Sequence, residues 1–317
     1  MRTLGRRPRP SGFVARLAAI LLATCVVLLA ACAPRAATEG VEHRSASLLD
    51  VAGERPTANL SLGCRASDAP PLPERIVVAG RDRALLATPP RHAGAAPHDL
   101  VIAFHGRTND AAQARGYFAL NSAMPDALIV YPQALPAGPG TFAWSDPSDP
   151  IDAQRDFELV AAIVDTLGAA RCIDLDRVFA VGHSLGAYFA NDLACHSTGL
   201  VRAVASVAGG IRGEACASST AALLLHHPDD HLVPISAGLD ARDAFLAANG
   251  QTVGSAVAAS RPALAALGCV RVGDDGVPHP VVWCAHDDAT SASGRYDPHR
   301  WPNGTAAAAA AFFRDLP

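Results

Sequence analysis

The chain has 317 residues, a formal net charge of −4 at pH 7, and 50% hydrophobic residues. That length holds one large domain with a full core, and the absence of a basic stripe excludes the electrostatic footprint of a nucleic-acid partner. No Cys-x-x-Cys pair and no Cys/His cluster at zinc spacing is present, so neither a metal nor another cofactor is expected.

In chain order, Arg2, Arg6, Arg7, Arg9 and Arg16 precede an apolar run at 17–31. A basic start and a run too short for a comfortable membrane span read as an export signal. It ends Leu29-Ala30-Ala31-Cys32, which resembles the lipobox of bacterial lipoproteins, cut before the cysteine that then receives lipid. Residues 1–31 are therefore expected to be a lipoprotein signal peptide and Cys32 the lipidation site, giving an exported, membrane-anchored protein. The alternative is an ordinary signal peptide that leaves a free secreted chain. Residues 32–62, rich in Ala, Arg, Glu and Ser, read as a tether, and 63–317 as the folded domain, expected to be monomeric. Of eight cysteines, setting aside Cys25 and Cys32 leaves six: Cys64, Cys172, Cys195, Cys216, Cys269 and Cys284. An even number in an exported chain predicts three disulfides, with 15 pairings open.

From Arg75 onward, short apolar runs alternate with amphipathic stretches. Residues 76–79 and 84–87 predict an edge hairpin turning at Gly80-Arg81-Asp82. Runs at 100–104, 127–131, 178–181, 203–207, 221–225 and 281–284 predict the main strands. They are continuous rather than alternating, as in a parallel sheet covered on both faces. Phe157, Val160, Ile163, Val164 and Leu167 repeat at helical spacing, with Gly168 placed to close that helix. Helices are also expected at 185–195, 239–248 and 305–313. The alternation indicates an α/β fold with a mostly parallel central sheet flanked by helices.

The strand at 178–181 runs straight into Gly182-His183-Ser184-Leu185-Gly186 and then a helix. Strand, Gly-x-Ser-x-Gly and helix form the context of a nucleophile elbow. Glycines there let neighbouring backbone approach, the turn lifts Ser184 above the sheet edge, and the helix start offers unpaired N–H groups to an anion. Ser184 is thus the candidate nucleophile. In α/β-hydrolases an acid and then a histidine follow the serine. His226-His227-Pro228-Asp229-Asp230-His231-Leu232-Val233-Pro234 comes after the strand at 221–225; either aspartate could serve on position alone, and Asp230 fits the carboxylate place of an H-x-x-x-D-x-x-V-P pattern. His279 precedes its strand and would face the wrong end of the sheet, whereas His286 and His299 both remain open as the base. Phe104-His105-Gly106-Arg107 ends an earlier strand, so the Arg107 and Leu185 backbone N–H groups are the candidate oxyanion donors. His105 lies before the nucleophile and reads as structural.

These pieces together carry a resemblance. From about Gly63 to the C-terminus the chain resembles secreted esterases grouped with polyhydroxybutyrate depolymerases, feruloyl esterases and some acetylxylan esterases. The matching motifs are Gly63-Cys64, Phe104-His105-Gly106, Tyr131-Pro132-Gln133, Cys172-Ile173-Asp174, the elbow, Asp230 to Pro234, Pro280-Val281-Val282-Trp283-Cys284, and His299-Arg300-Trp301-Pro302. The resemblance implies the α/β-hydrolase fold, a serine hydrolase acting on carboxylic esters, some of them polymer-linked, and a Ser184, Asp230, His299 triad. His-x-Trp-Pro marks the family histidine, while a longer loop between Cys284 and His299 departs from the pattern and keeps His286 as runner-up. It further implies bridges Cys64–Cys172, Cys195–Cys216 and Cys269–Cys284, and a substrate-lining role for Trp144, set against plain packing under a Pro/Gly-rich loop. A peptidase or amidase of the same chemistry, and a catalytically silent cell-surface binding protein, are the competing readings.

Overall fold

Runs of Val, Ile, Leu and Ala become strands here because each strand is covered on both faces, so alternate residues enter two separate cores. The computed structural model describes residues 59–66, 68–92, 96–213, 215–254 and 256–317, all within the unit Gly53–Pro317. The expected signal at 1–31, Cys32, and the tether up to residue 58 lie outside the described residues.

The strands are β1 (Arg75–Val78), β2 (Arg81–Thr88), β3 (His98–Phe104), β4 (Leu128–Pro132), β5 (Leu135–Gly138), β6 (Thr141–Ala143), β7 (Ile173–His183), β8 (Ala203–Val207), β9 (Ala221–His226), β10 (Val257–Ala258), β11 (Cys269–Val272) and β12 (Val281–Ala285). The helices are α1 (Ala111–Phe118), α2 (Leu120–Ala123), α3 (Arg155–Ala170), α4 (Leu185–His196), α5 (Ile235–Ala248), α6 (Pro262–Ala265) and α7 (Thr305–Asp315). Ten strands form one sheet in the order β1-β2-β4-β3-β7-β8-β9-β12-β11-β10, and β5 pairs only with β6. From β4 to β12 every neighbouring pair is parallel, while antiparallel strands finish both edges. Along β3, Leu100, Ile102 and Phe104 enter the core under α3, α4 and α5. Val101 and Ala103 enter the opposite core, under α1 and α7.

All six main strands form where the apolar runs predict them, and the differences lie at ends and edges. The first hairpin turns over Ala79 and Gly80 alone, because Arg81 and Asp82 already pair with Val78 and Val77. Gly168 does not close α3, which continues to Ala170. Instead a Cβ at Gly168 would approach that of Ser61 to 3.3 Å, so this glycine lets the N-terminal segment lie against the helix. α5 starts four residues before the expected position, directly after Pro234. Helix α1 and strands β5, β6, β10 and β11 have no counterpart among the sequence expectations.

The longest strand, β7, begins at Ile173 because outside segments pair with its polar first half. The Ser61 N–H donates to the Ile173 carbonyl (3.0 Å), and the Leu175 N–H donates to that of Asn59 (2.8 Å). The folded domain thus includes Asn59, four residues before the expected boundary at Gly63. A disulfide joins Cys64 to Cys172 across 108 residues of sequence. Beside it a Cβ on Gly63 would sit 2.3 Å from the Arg171 carbonyl oxygen, so only glycine fits. By loop-closure entropy this bridge contributes about 4–5 kcal/mol. Replacing both cysteines with serine should therefore lower the melting temperature by about 10 °C or more, followed by circular dichroism.

Candidate active site

Ser184 stands between β7 and α4 with φ 56° and ψ −123°, a conformation that L-residues adopt at a cost of about 1–3 kcal/mol. Its N–H donates to the Val207 carbonyl of β8 (3.0 Å), and its carbonyl accepts from the Ala187 and Tyr188 N–H groups (2.9 and 3.0 Å). The strain is held from both sides. A Cβ on Gly182 would lie 2.2 Å from the Gly186 carbonyl oxygen, and one on Gly186 would lie 2.1 Å from that of Phe104. Both neighbours are backbone, so the elbow and the end of β3 can meet only through glycines.

His299 lies at the end of the long loop after β12. Its Nδ1 is 2.7 Å from Asp230 Oδ2, and its Nε2 is 2.8 Å from Ser184 Oγ. An ionised carboxylate only accepts, so Nδ1 carries the proton toward Asp230 and the Nε2 lone pair faces the serine hydroxyl. Asp230 is buried, and its other oxygen accepts from the Leu232 and Val233 N–H groups at 2.9 and 3.0 Å. Burial opposes its ionisation, but the His299 hydrogen bond and the two backbone donors outweigh it and hold the carboxyl below its ordinary range. Asp229, the positional alternative, instead accepts from the Tyr296 hydroxyl at 2.8 Å.

The runner-up base, His286, is not at this site. It is 2% exposed, its ring centroid is 5.5 Å from that of His227, and neither ring nitrogen has a hydrogen-bond partner among the described residues. Burial, then repulsion from His227, depresses its pKa to about 4. The strand end aims its side chain into the protein, a direction that chain position alone does not reveal.

The longer loop between Cys284 and His299 is tied to itself rather than slack. Arg300 donates to Asp288 Oδ1 (2.5 Å) and to the Thr290 carbonyl (2.8 Å), and the Asn303 N–H donates to Asp288 Oδ2 (2.7 Å). Trp301 stacks on Phe118 of α1 at a centroid distance of 4.2 Å, which gives His-x-Trp-Pro a physical meaning: the tryptophan seats the histidine loop. His183 Nε2 donates to the His299 carbonyl (2.7 Å), and His183 Nδ1 faces the Tyr117 hydroxyl (3.2 Å). Burial, then the nearby His299, depresses the His183 pKa to about 4, so the ring is neutral. Neither Tyr117 nor His183 was singled out as a support from sequence, because both act across the fold. The Cys269–Cys284 disulfide links paired positions of β11 and β12, whereas the Asp288 contacts hold the base-bearing loop directly. Asp288→Ala should therefore lower kcat for any reaction that uses His299, by up to about 10²-fold for a displacement near 1 Å, with a smaller change in KM.

The loop after β3 approaches Ser184 at Gly106, where a Cβ would lie 3.3 Å from the serine Cβ. The Gly106 carbonyl accepts from His105 Nδ1 (2.8 Å) and from the Asn109 N–H (3.3 Å). Because the peptide is trans, the Arg107 N–H points the opposite way. His105 Nε2 accepts the Ala134 N–H (3.1 Å), so His105 is a neutral, fully buried strut of this loop rather than a base. On the other side, Leu185 opens α4, and its N–H has no acceptor within the helix. These two peptides border a cleft of about 470 Å³ over Ser184, completed by Thr108, Tyr188, Leu232, Val233 and His299.

Trp144 does not border that cleft. It is 3% exposed, stacks on Phe189 at a centroid distance of 5.3 Å, and donates its Nε1–H to the His105 carbonyl at 2.8 Å. The packing alternative holds here, with a hydrogen bond that steadies the loop carrying Arg107. Cys195–Cys216 completes the three disulfides among the described residues, in the pairing that the resemblance implies. Among those residues no cluster of three or more His, Cys, Asp or Glu side chains could hold a metal ion.

A mostly parallel sheet, helices on both faces and a strand-to-helix serine turn define the α/β-hydrolase fold. A carboxylesterase structure from Bacillus cereus shares it, with a TM-score of 0.53 at 10% identity, over 73% of this chain and 93% of that one. No family model matches the chain. In sequence the chain is similar to proteins named as ester hydrolases. A protein of Nocardia uniformis named as an esterase is 33% identical over 45% of this chain and 42% of its own length. "Probable feruloyl esterase C" of Aspergillus terreus is 27% identical over 64% of this chain and 74% of its own length. Poly(3-hydroxyalkanoate) depolymerase C of Paucimonas lemoignei is 31% identical over 48% of this chain and 37% of its own length. The chain thus spans less than half of the esterase and of the depolymerase.

Proposed function

We propose that this protein is an exported serine carboxylesterase that hydrolyses aryl, acyl-polysaccharide or hydroxyalkanoate esters through a covalent acyl-enzyme. The observation that supports this reading most directly is the hydrogen-bonded series Ser184 Oγ, His299 Nε2, His299 Nδ1, Asp230 Oδ2, with links of 2.8 and 2.7 Å. As an ester carbonyl settles over Ser184, His299 Nε2 takes the hydroxyl proton and Oγ bonds to the carbonyl carbon. Negative charge gathers on the former carbonyl oxygen, which the Arg107 and Leu185 N–H groups stabilise; each such donor is worth roughly 10²–10³-fold in rate. Asp230 holds the ring orientation and stabilises the imidazolium. His299 then gives the proton to the departing alkoxide, the C–O bond breaks, and the acyl group remains on Ser184. Water, deprotonated by the same nitrogen, attacks that acyl group and releases the acid and the free serine.

The names of the relatives support esters as the substrate class, and those relatives include both feruloyl and hydroxyalkanoate types. The deciding experiment is covalent labelling with a fluorophosphonate probe, alongside hydrolysis of methyl ferulate, acetylated xylan and hydroxybutyrate oligomers. Labelling at Ser184 and turnover of at least one ester are expected. A wild-type protein that neither labels nor hydrolyses any of them overturns the reading in favour of a silent binding protein.

For location, we propose export, signal cleavage before Cys32 and lipid attachment there. The Leu29-Ala30-Ala31-Cys32 stretch supports this, as does the presence of three disulfides, which persist in oxidising compartments. The mature wild type should partition into detergent, and Cys32→Ser should move it to the aqueous phase. Recovery of unlipidated wild type free in the medium would favour the ordinary signal peptide.

A further inference from the structure

We propose that Tyr188, rather than the Trp144 for which the resemblance implies a substrate-lining role, is the aromatic wall of the cleft and sets its preference for esters with a flat aryl group. This rests on the ester-hydrolase reading of the same cleft. Tyr188 lies four residues after Ser184, one turn along α4, so it shares the nucleophile's face of the helix. Helical side chains lean toward the N-terminus, which carries the ring back toward Ser184. The ring borders the cleft beside Leu185, with Leu232 and Val233 also in the wall. Leu232 is 75% exposed, so the apolar wall continues to the rim.

The ring is fixed before a substrate arrives. A Cβ on Gly210 would lie 2.7 Å from Tyr188 Cε1, so the absence of a side chain at Gly210 makes room for the ring. The Gly210 carbonyl is held by Asn191 Nδ2 at 2.8 Å. The Arg212 guanidinium sits over the ring, 5.7 Å from its centroid. Arg212 is in turn held by the fully buried Asp192, with Nε to Oδ2 at 2.8 Å and Nη2 to Oδ2 at 2.7 Å, and by Asp146 at 3.1 Å. The Tyr188 hydroxyl makes no hydrogen bond within the described residues. A rigid aromatic ring bordering the cleft over Ser184 binds a flat ring at little further ordering cost.

The test is the ratio of kcat/KM for methyl ferulate to that for methyl butyrate. Tyr188→Ala should lower this ratio about tenfold, through KM for the ferulate, and Tyr188→Phe should restore it. Gly210→Ala, which crowds the ring without removing it, should lower the ratio in the same direction. A ratio unchanged in Tyr188→Ala, or a loss confined to kcat for both esters, overturns the proposal. Equilibrium titration of Ser184→Ala with methyl ferulate keeps this test separate from hydrolysis. If the wild type turns over no ester, weaker ferulate binding in Ser184→Ala with Tyr188→Ala than in Ser184→Ala still supports the inference. Equal binding, or no saturable binding to Ser184→Ala, overturns it.

Discussion

Ser184→Ala and His299→Ala should each reduce ester turnover by a factor on the order of 10⁶, because members of one proton-transfer unit fail together. Asp230→Asn should lose about 10⁴-fold and retain a trace. An amide that presents N–H to His299 Nδ1 turns the ring to the wrong tautomer but leaves a base and an oxyanion site in place. The double variant Ser184→Ala with His299→Ala should be no slower than either single, since the proton acceptor has no function once its donor is gone. These values come from initial rates on whichever ester the wild type hydrolyses fastest, with circular dichroism confirming the fold. A His299→Ala protein within tenfold of wild type would remove His299 from the base role. Fluorophosphonate labelling lost in Ser184→Ala but merely slowed in Asp230→Asn would reproduce the same hierarchy without any substrate.

The second large effect is on acid stability. His183 and His286 each have pKa values depressed to about 4 in the folded protein, against an ordinary 6.5. Between those values the unfolded chain binds a proton at each histidine and the folded protein does not, so stability is complete above about pH 6.5 and falls as pH drops toward 4. Each histidine accounts for about 3 kcal/mol across that window. Asp192 acts in the opposite sense. Burial raises its carboxyl to about 7 despite Arg212, so the folded protein binds that proton first and gains stability as the pH falls from 7 toward 4. Two protons taken up by the unfolded chain against one by the folded protein leave a net loss in acid.

His286 separates these contributions, because among the described residues neither of its ring nitrogens has a partner to strand. His286→Leu should change stability little at pH 7 and add about 3 kcal/mol at pH 4, or roughly 6–12 °C in melting temperature. Melting curves at half-unit pH steps would show it. A slope identical to the wild type would mean that His286 is not held neutral by burial. The variant should also keep its ester turnover, in contrast to His299→Ala.

Much of this protein is legible along the chain. The six continuous apolar runs become the six parallel strands, because burial on both faces demands hydrophobic residues at every position. The elbow motif is contiguous: Gly182 is required by a contact that the turn itself creates, whereas Gly186 is required by the approach of the Phe104 carbonyl at the end of β3. The H-x-x-x-D-x-x-V-P pattern favours Asp230 over Asp229, and in the structure the Asp230 carboxylate accepts from N–H groups two and three residues ahead.

What the sequence left open depends on long-range packing. Position along the chain leaves His286 and His299 both open, and only the His-x-Trp-Pro resemblance favours His299. The choice is made in space, where a strand end buries one ring beside His227 and a tied loop returns the other to within 2.8 Å of Ser184 Oγ. Trp144 and Tyr188 differ in the same way. Both are aromatic and near functional segments, but the Phe104–Phe189 core claims the tryptophan, while Gly210 and Arg212 hold the tyrosine at the cleft. The polar first half of β7 pairs with Asn59 and Ser61 from more than a hundred residues away, and with His98 of β3 at its start. Composition and local spacing therefore determined where the main strands and the elbow motif lie, since apolar runs and the Gly-x-Ser-x-Gly turn are contiguous in the chain. Which side chains face the substrate was decided only when distant segments competed for the same space.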